Sequence, residues 1–288
     1  MNANASTGSA YSGGTPHGGA PVLGYPVGPI RAAAAFTSDF EIPGDLPVQR
    51  LVDMLETERR SMDVHPGMRH KYTPLRHAPV TGAPQIGGRY LFDTWADVRD
   101  YDRFTSQELE FEPGVKFWDR PFFRGVDRRL WRVTGAEDFL PLATSHHVNR
   151  FERWTVTGSG TASTADLLAR VWPQLRDRAR SLGLSSVWLL HQPEERQVGL
   201  VTVAARPAGS DAVAGTEEAM ARLADGETPG RLLPSELAPA KVFDRTSPIL
   251  AMWLPRSREA GGAPSAYPTS PPHPLPTIGQ NLTVPAGA

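Results

Sequence analysis

Two halves of this sequence show the same order of strand-like and helix-like patterns, and that repeat limits the folds open to the chain. In each half the order is strand, helix, strand, strand, helix, strand. Asp45 and Thr94 are typical N-caps for the helices of the first half, and Ser163 or Thr164 for the first helix of the second. Identity between the halves is low, so the repeat lies in element order alone.

Apolar periodicity and turn residues give approximate bounds for these elements. Strands are predicted over residues 30–40, 68–77, 85–93, 148–157, 186–191, 197–205 and 241–254. Helices are predicted over 45–62, 94–109, 163–183 and 216–224. An aromatic-rich extended segment over 115–133 is predicted to form a hairpin that turns at Arg124-Gly125.

The repeated order is that of the split β-α-β-β-α-β unit, so the predicted fold class is α+β with two tandem ferredoxin-like units. Such a unit covers one face of its sheet with helices and leaves the other face bare. Two units can bury their bare faces sheet to sheet in a barrel-like core. The predicted units are 29–138 and 139–256, and the segments 1–28 and 257–288, rich in Gly, Pro, Ala and Ser, are predicted to be disordered tails.

Composition excludes several classes of function. The 288 residues include no cysteine, which excludes a thiol nucleophile or thiolate metal site and suits a cytoplasmic location. The net charge is -1 with no basic stripe, so no nucleic-acid partner is predicted. No apolar run is long enough for a membrane span, and no glycine-rich phosphate loop is present to hold a nucleotide cofactor tightly.

The stretch 139–157, FLPLATSHHVNRFERWTVT, holds the densest cluster of aromatic, histidine and arginine side chains. From His147 onward it alternates as a strand does, with Val148, Arg150, Glu152, Trp154 and Val156 on one face. Neither face is purely apolar. A strand of this kind often lines a cavity, so the stretch is predicted to border the functional site.

The segments GGRYLFDTWADVRDY and GLSSVWLLHQPEERQVGLVTVA resemble the antibiotic-biosynthesis monooxygenase group, whose members are dimeric α/β barrels. The resemblance covers about residues 30–254 and implies two units fused in one chain. KFWDRPFF and TSHHVNRFERW are most similar to ring-opening oxygenases of angucycline pathways, of the jadomycin, gilvocarcin and kinamycin type. The group also contains anthrone oxidases, heme-handling proteins and non-catalytic proteins, so fold alone does not give the activity.

The ring-opening resemblance implies O2-dependent cleavage of a polycyclic aromatic hydroquinone from a polyketide pathway. It leaves open whether reduced flavin, FMNH2 or FADH2, serves as a diffusible co-substrate supplied by a flavin reductase, and whether the chain forms a homodimer. The alternatives are an anthrone-type, quinone-forming monooxygenase, a ligand-binding protein without activity, and a heme-handling relative with no defined axial ligand.

Candidate site residues follow from the chemistry of a hydroquinone. The base that removes its proton is predicted among three histidines, His146, His147 and His70. The predicted hydrogen-bond donors to the resulting oxygen anion are Asn149, Arg150 and Arg153. Arg150 and Glu152 equally suit an exposed cross-strand pair. Aromatic and polar walls are predicted from Tyr72, Tyr90, Trp118, Trp154, Trp188 and His191.

The alternative for each of these residues is a purely structural role in the core or in a turn. Metal binding is not predicted, since His65, His70, His77 and His191 lack an acidic residue at a recognised ligand spacing.

Overall fold

The structure is a computed structural model that describes residues 27–43, 65–140, 147–158, 162–205, 212–224 and 229–253. Its strands are β1 Gly28–Pro29, β2 Ala34–Glu41, β3 Met68–His77, β4 Pro84–Phe92, β5 Glu110–Glu112, β6 Val115–Lys116, β7 Arg124–Asp138, β8 His147–Val156, β9 Ser186–Gln192, β10 Gln197–Ala205 and β11 Pro239–Trp253. Its α-helices are α1 Trp95–Arg103, α2 Thr164–Ser181 and α3 Ala212–Ala224. A π-helical turn spans Phe104–Glu108, and 3-10 helices span Phe117–Asp119, Pro229–Leu232 and Ser235–Leu237.

Eight of these strands close into one antiparallel barrel. The order around it is β7, β2, β4, β3, β11, β8, β10, β9, and β9 pairs with β7 again. The α+β class is thereby confirmed. The expectation of two separate sheets packed face to face is wrong, because the sheets join at their edges through β3–β11 and β7–β9. Joining the edges pairs backbone groups that two open sheets would leave unpaired.

The inner face of the barrel is filled by side chains, as expected for eight strands. Every strand of the barrel contributes to one buried cluster, Ala35, Tyr72, Leu91, Trp131, Ala136, Phe151, Trp188, Leu190, Val201, Val203 and Ile249. The outer face carries two further buried layers. One packs beneath α2 and α3 in the second half, and the other packs beneath α1 in the first half.

Two predicted helix starts are confirmed, those at Thr94 and Ser163, whereas the helix predicted over 216–224 starts earlier, at Ala212. Thr94 forms a capping box with Asp97, and the Ser163 side chain accepts a hydrogen bond from the backbone N–H of Asp166. The helix predicted over 94–109 is shorter than expected, since α1 gives way to the π-helical turn after Arg103. The helix predicted over 45–62 lies outside the described residues.

The hairpin predicted over 115–133 is wrong. A short β5–β6 ladder and a 3-10 helix precede one long strand, β7, which starts at Arg124 and runs to Asp138. Gly125 does adopt a left-handed conformation (φ 59°), but within the strand and not at a chain reversal. Strand β7 pairs with both β2 and β9 and so joins the two halves. A chain reversal within it would remove these pairings.

Candidate functional site

The residues predicted for the site lie in separate layers. Four of them face the barrel interior: His70, Tyr72, Asn149 and Trp188. Tyr90 and Trp118 lie on the outer face of the first half, whereas Arg150 and Trp154 lie on the outer face of the second. His146 is outside the described residues, and His147 is buried at the first position of β8. Tyr90 is thus separated by the sheet from His70 and Tyr72.

The interior group is a closely packed polar and aromatic core. His70 Nε2 lies 3.0 Å from Asp138 Oδ2, with side-chain exposures of 0% and 3%. Tyr72 stacks on Trp188 at 4.8 Å between ring centroids, and Trp188 Nε1 donates to Ser186 Oγ at 3.1 Å. These hydrogen bonds and ring contacts lie inside the packed barrel, which suits a core role at least as well as a catalytic one.

Asn149 and His191 also have protein partners. The Asn149 amide donates to the carbonyl of Thr202 at 3.2 Å. His191 Nδ1 lies 3.2 Å from Thr134 Oγ1. Burial, reinforced by the charge of Arg132, lowers the pKa of His191.

In the second half, Arg150 and Glu152 are buried rather than the exposed pair that was considered. Arg150 forms two parallel hydrogen bonds with the Asp244 carboxylate, at 2.8 and 2.7 Å, and another with the carbonyl of Leu223. Glu152 is fully buried and accepts a hydrogen bond from Lys241 Nζ at 2.6 Å. Burial raises the pKa of Glu152, against the opposing effect of Lys241. The Arg150 guanidinium is therefore occupied by structural partners.

The outer face of the first half is an aromatic layer, which we call the aromatic face. Phe36 lies at its centre, stacked on Tyr90 (5.6 Å, 16°) and edge-on to Tyr101 (5.3 Å, 76°). Trp118 packs at 6.2 Å from Phe36 and donates its Nε1 hydrogen to Thr105 Oγ1 at 3.1 Å. The remaining rings of the face are Phe40, Phe92, Phe104, Phe117 and Phe123.

Polar groups are set into the aromatic face. A Cβ atom on Gly88 would lie 2.7 Å from the Tyr90 hydroxyl and 2.9 Å from Ser38 Oγ, so glycine here leaves room for both hydroxyls. The Lys71 ammonium is buried and lies 5.5 Å from the centroid of the Tyr90 ring. Flat apolar walls with a few convergent polar groups are typical of small-molecule sites.

His65 is a titratable residue of this face. The sequence patterns did not indicate it as a site residue, and it was considered only as a metal ligand, which was rejected. Its ring is edge-on to Tyr101 at 5.3 Å. Nδ1 lies 3.3 Å from the carbonyl of Pro66, and Nε2 lies 3.4 Å from Asp100 Oδ2. Both ring nitrogens thus face acceptors, the Pro66 carbonyl and the Asp100 carboxylate, and a neutral imidazole carries a proton on one nitrogen only.

Burial lowers the pKa of His65, although the Pro66 carbonyl and Asp100 act in the opposite direction. A hydrogen bond from Arg103 lowers the pKa of Asp100, which keeps that carboxylate ionised. The imidazole is therefore neutral at pH 7 and lies beside a carboxylate that would stabilise its protonated form. A neutral imidazole can accept a proton, which is the first requirement for a general base.

An open groove of about 510 Å³ runs beside α1 and includes Asp100 in its wall. Asp100 lines the groove and also faces His65, so the two share a boundary. The other lining residues are Ala96, Arg99, Asp102, Arg103, Ser106, Gln107 and Leu130.

His65 should make stability depend on pH. The unfolded chain takes up a proton near the ordinary histidine pKa of 6.5, whereas the folded chain resists it because its pKa is lower. The free energy of unfolding should therefore fall as pH drops below that value. Chemical denaturation at pH 7.5 and 5.5 checks this, and a His65→Gln variant should show a smaller loss on acidification. An equal loss in both proteins would contradict the assignment.

Two absences apply to the described part of the chain. No group of three or more His, Asp or Glu side chains converges there as a metal site. Nor is any helix in those ranges long and apolar enough to cross a membrane.

No protein-family model and no curated protein matches this sequence. Among solved structures, a provisionally assigned monooxygenase from Fusobacterium nucleatum subsp. nucleatum is similar at a TM-score of 0.47 and 10% identity, covering 77% of this chain and 95% of that chain. An anthrone oxidase-like protein reaches a TM-score of 0.46 at 10% identity, covering 77% and 93%. A chlorite dismutase from Candidatus Nitrospira defluvii reaches 0.40 at 8% identity, covering 76% and 92%. Likeness at this level gives no argument about activity.

Proposed function

We propose that this protein is an oxygenase that oxidises a polycyclic aromatic hydroquinone with O2 at the aromatic face of the first half. The observation that carries the proposal is the neutral, buried His65 imidazole, paired with Asp100 at the edge of a stacked aromatic layer. Flat rings suit a planar substrate, and a base at their edge suits the removal of a phenolic proton.

In the proposed reaction His65 Nε2 takes the phenolic proton, and the Asp100 carboxylate stabilises the imidazolium that results. The substrate anion is then electron-rich enough to transfer an electron to O2. Insertion of one oxygen atom into the substrate releases the other as water and uses two electrons. Those electrons come from the hydroquinone itself or from reduced flavin acting as a diffusible co-substrate. The chain's own tasks are deprotonation, orientation and exclusion of water.

The finer proposal is ring opening of an angucycline-type polyketide, with a flavin reductase as partner and a homodimer as the assembly. Its support is the sequence resemblance described above.

Each half is proposed to be a ferredoxin-like unit. In support, the first half has the strand order β7-β2-β4-β3 and the second has β11-β8-β10-β9, so each runs fourth, first, third, second.

Oxygen uptake by the full chain with a polycyclic hydroquinone, with and without reduced flavin, tests the proposal. Uptake well above the enzyme-free rate is expected, with a product that mass spectrometry shows to have gained oxygen. Release of a quinone with its rings intact would favour the anthrone-type alternative over ring opening. Tight binding of the hydroquinone without uptake under either condition would contradict the proposal and favour a non-catalytic ligand-binding protein.

The assignment of the base to His146 or His147 stays a prediction from the sequence. If it is correct, replacing the relevant histidine by Gln lowers turnover by about a hundredfold. Full activity in both single variants and in the double variant would remove the pair from the mechanism and leave His65 and His70 as candidates for the base.

A further inference from the structure

A second group of charged residues lies inside the barrel, at the end away from His70 and Asp138. Arg89 Nη2 and Arg245 Nη1 both donate to Asp39 Oδ1, at 2.8 and 2.9 Å. These three side chains come from β4, β11 and β2. Arg89 is almost fully buried, whereas the Arg245 side chain keeps 13% of its surface exposed at the rim.

The same pairing occurs a second time at this end of the barrel. Asp127 accepts a hydrogen bond from Arg153 Nη1 at 2.7 Å, and its other oxygen lies 2.8 Å from Arg129 Nε. Arg129 also contacts Glu195 on the outer side. Asp39 thus has two arginines where one would balance its charge, whereas one of the two arginines beside Asp127 is shared with Glu195.

Arg153 is one of the two arginines beside Asp127, and Arg245 is one of the two beside Asp39. Both arginines contact the same aromatic ring. The guanidinium carbon of Arg153 lies 5.2 Å from the centroid of the Phe243 ring, and that of Arg245 lies 5.0 Å from it. Phe243 pairs with Arg153 across the β8–β11 ladder and lies two residues before Arg245. The two guanidinium groups therefore flank the same ring on the inner face.

Much of the donor capacity of both guanidinium groups is unused. In the described ranges, Arg153 donates through Nη1 to Asp127, and Arg245 donates through Nη1 to Asp39. The Nε atom of each is buried with no hydrogen-bond partner there. Buried donors of a charged group are costly to leave unsatisfied, and a guanidinium presents its donors as a fork that fits an oxyanion.

The charges nearby do not cancel. Arg76 also lies near, held by Gln85 through a hydrogen bond of 2.8 Å. Burial lowers the pKa of Arg245, Arg89 and Arg76 lower it further, and Asp39 and Glu41 oppose them. Asp244 also acts on Arg76, but it is paired with Arg150 and Lys241. Apart from that group, the five arginines face four carboxylates, those of Asp39, Glu41, Asp127 and Glu195, which leaves one positive charge in excess.

We propose that Arg153 and Arg245 bind a small oxyanion, a carboxylate or a phosphate group, at this end of the barrel beside Phe243. The site is separate from the aromatic face, because these side chains point to the opposite side of the sheet. The ligand supplies the negative charge that the cluster lacks and accepts from the unused donors. Arginine is required at both positions, since lysine cannot present a planar fork.

Thermal unfolding of the full chain in sodium phosphate, sodium acetate and sodium chloride, at equal ionic strength, tests the proposal. Phosphate or acetate should raise the melting temperature by about 2 °C or more relative to chloride, because a ligand that binds only the folded state stabilises it. A response to one anion alone identifies which oxyanion the site takes. No difference between either oxyanion and chloride would overturn the proposal.

Substitutions show whether the rise in melting temperature comes from an oxyanion bound at Arg153 and Arg245. The double variant Arg153→Gln/Arg245→Gln should lose the shift, and Arg170→Gln, on the exposed side of α2, should keep it in full. An unchanged shift in the double variant overturns the proposal. If that variant does not fold, Arg153→Lys replaces it, with the affinity for the oxyanion measured by calorimetry. An affinity about tenfold weaker is expected, and full affinity would contradict the site.

Discussion

Replacing His65 by Gln is expected to lower the turnover number for a polycyclic hydroquinone by about a hundredfold, because the phenolic proton then has no base to accept it. Glutamine is close in size and keeps a polar group beside the Pro66 carbonyl and Asp100, so the barrel should fold. Oxygen uptake at saturating substrate gives the number. A larger effect on the turnover number than on KM would separate loss of a base from loss of binding.

His77→Gln is the matched control, since His77 lies at the far end of β3 and its Nδ1 donates to the Gly82 carbonyl at 2.9 Å. It should leave turnover unchanged. In the wild-type protein, activity should fall only as pH drops below the ordinary histidine value, because burial lowers the pKa of His65. An unchanged turnover number in His65→Gln, with the fold intact, would exclude His65 as the base.

Arg89→Met should cost about 3–5 kcal/mol of unfolding free energy, the usual effect of removing one partner of a buried ion pair. Arg89 is 1% exposed and pairs with Asp39 at 2.8 Å. Its Nη1 also donates to the carbonyls of Ser38 and Gly88, at 2.7 and 2.8 Å. Methionine fills much of the space but leaves these acceptors inside the barrel with fewer donors.

The loss should be measured by urea denaturation, with Arg170→Met as the surface control, for which a change within about 0.5 kcal/mol is expected. Adding Asp39→Asn to Arg89→Met should recover part of the loss, since it removes a carboxylate that has lost one cation. A loss below about 1 kcal/mol in Arg89→Met would mean that Arg245 alone satisfies Asp39.

The strands of the described ranges were largely predictable because alternation and turn residues are local signals. Strand β10 starts and ends where it was predicted, and the capping residues Thr94 and Ser163 act as expected. Closure of the barrel was not predictable, because it depends on edge pairings between residues far apart, such as Tyr72 with Met252.

The candidate site was harder to predict than the fold. Both faces of β3 and β4 are largely buried, so alternation could not tell which face a residue takes. Tyr72 and Tyr90 belong to opposite layers for this reason. His65 gave no signal of its own, because it lies in a turn and acquires its role only through Tyr101 and Asp100.

The stretch 139–157 was predicted to border the functional site because aromatic, histidine and arginine residues are frequent in it. In a strand, however, the side chains of neighbouring residues point to opposite faces. Phe151 fills the barrel interior, and Trp154 packs under the second-half helices. Pairings such as His70 with Asp138 join residues 68 positions apart. Density along the chain was therefore a poor guide to proximity in the fold.

A structure of the full chain with an unreactive quinone analogue would show where the substrate binds. We expect the analogue to stack against the aromatic face near Tyr90 and Trp118, with one of its oxygens within hydrogen-bonding distance of His65 Nε2. An analogue bound inside the barrel beside His70 and Trp188, or under the helices of the second half near Trp154, would contradict this expectation.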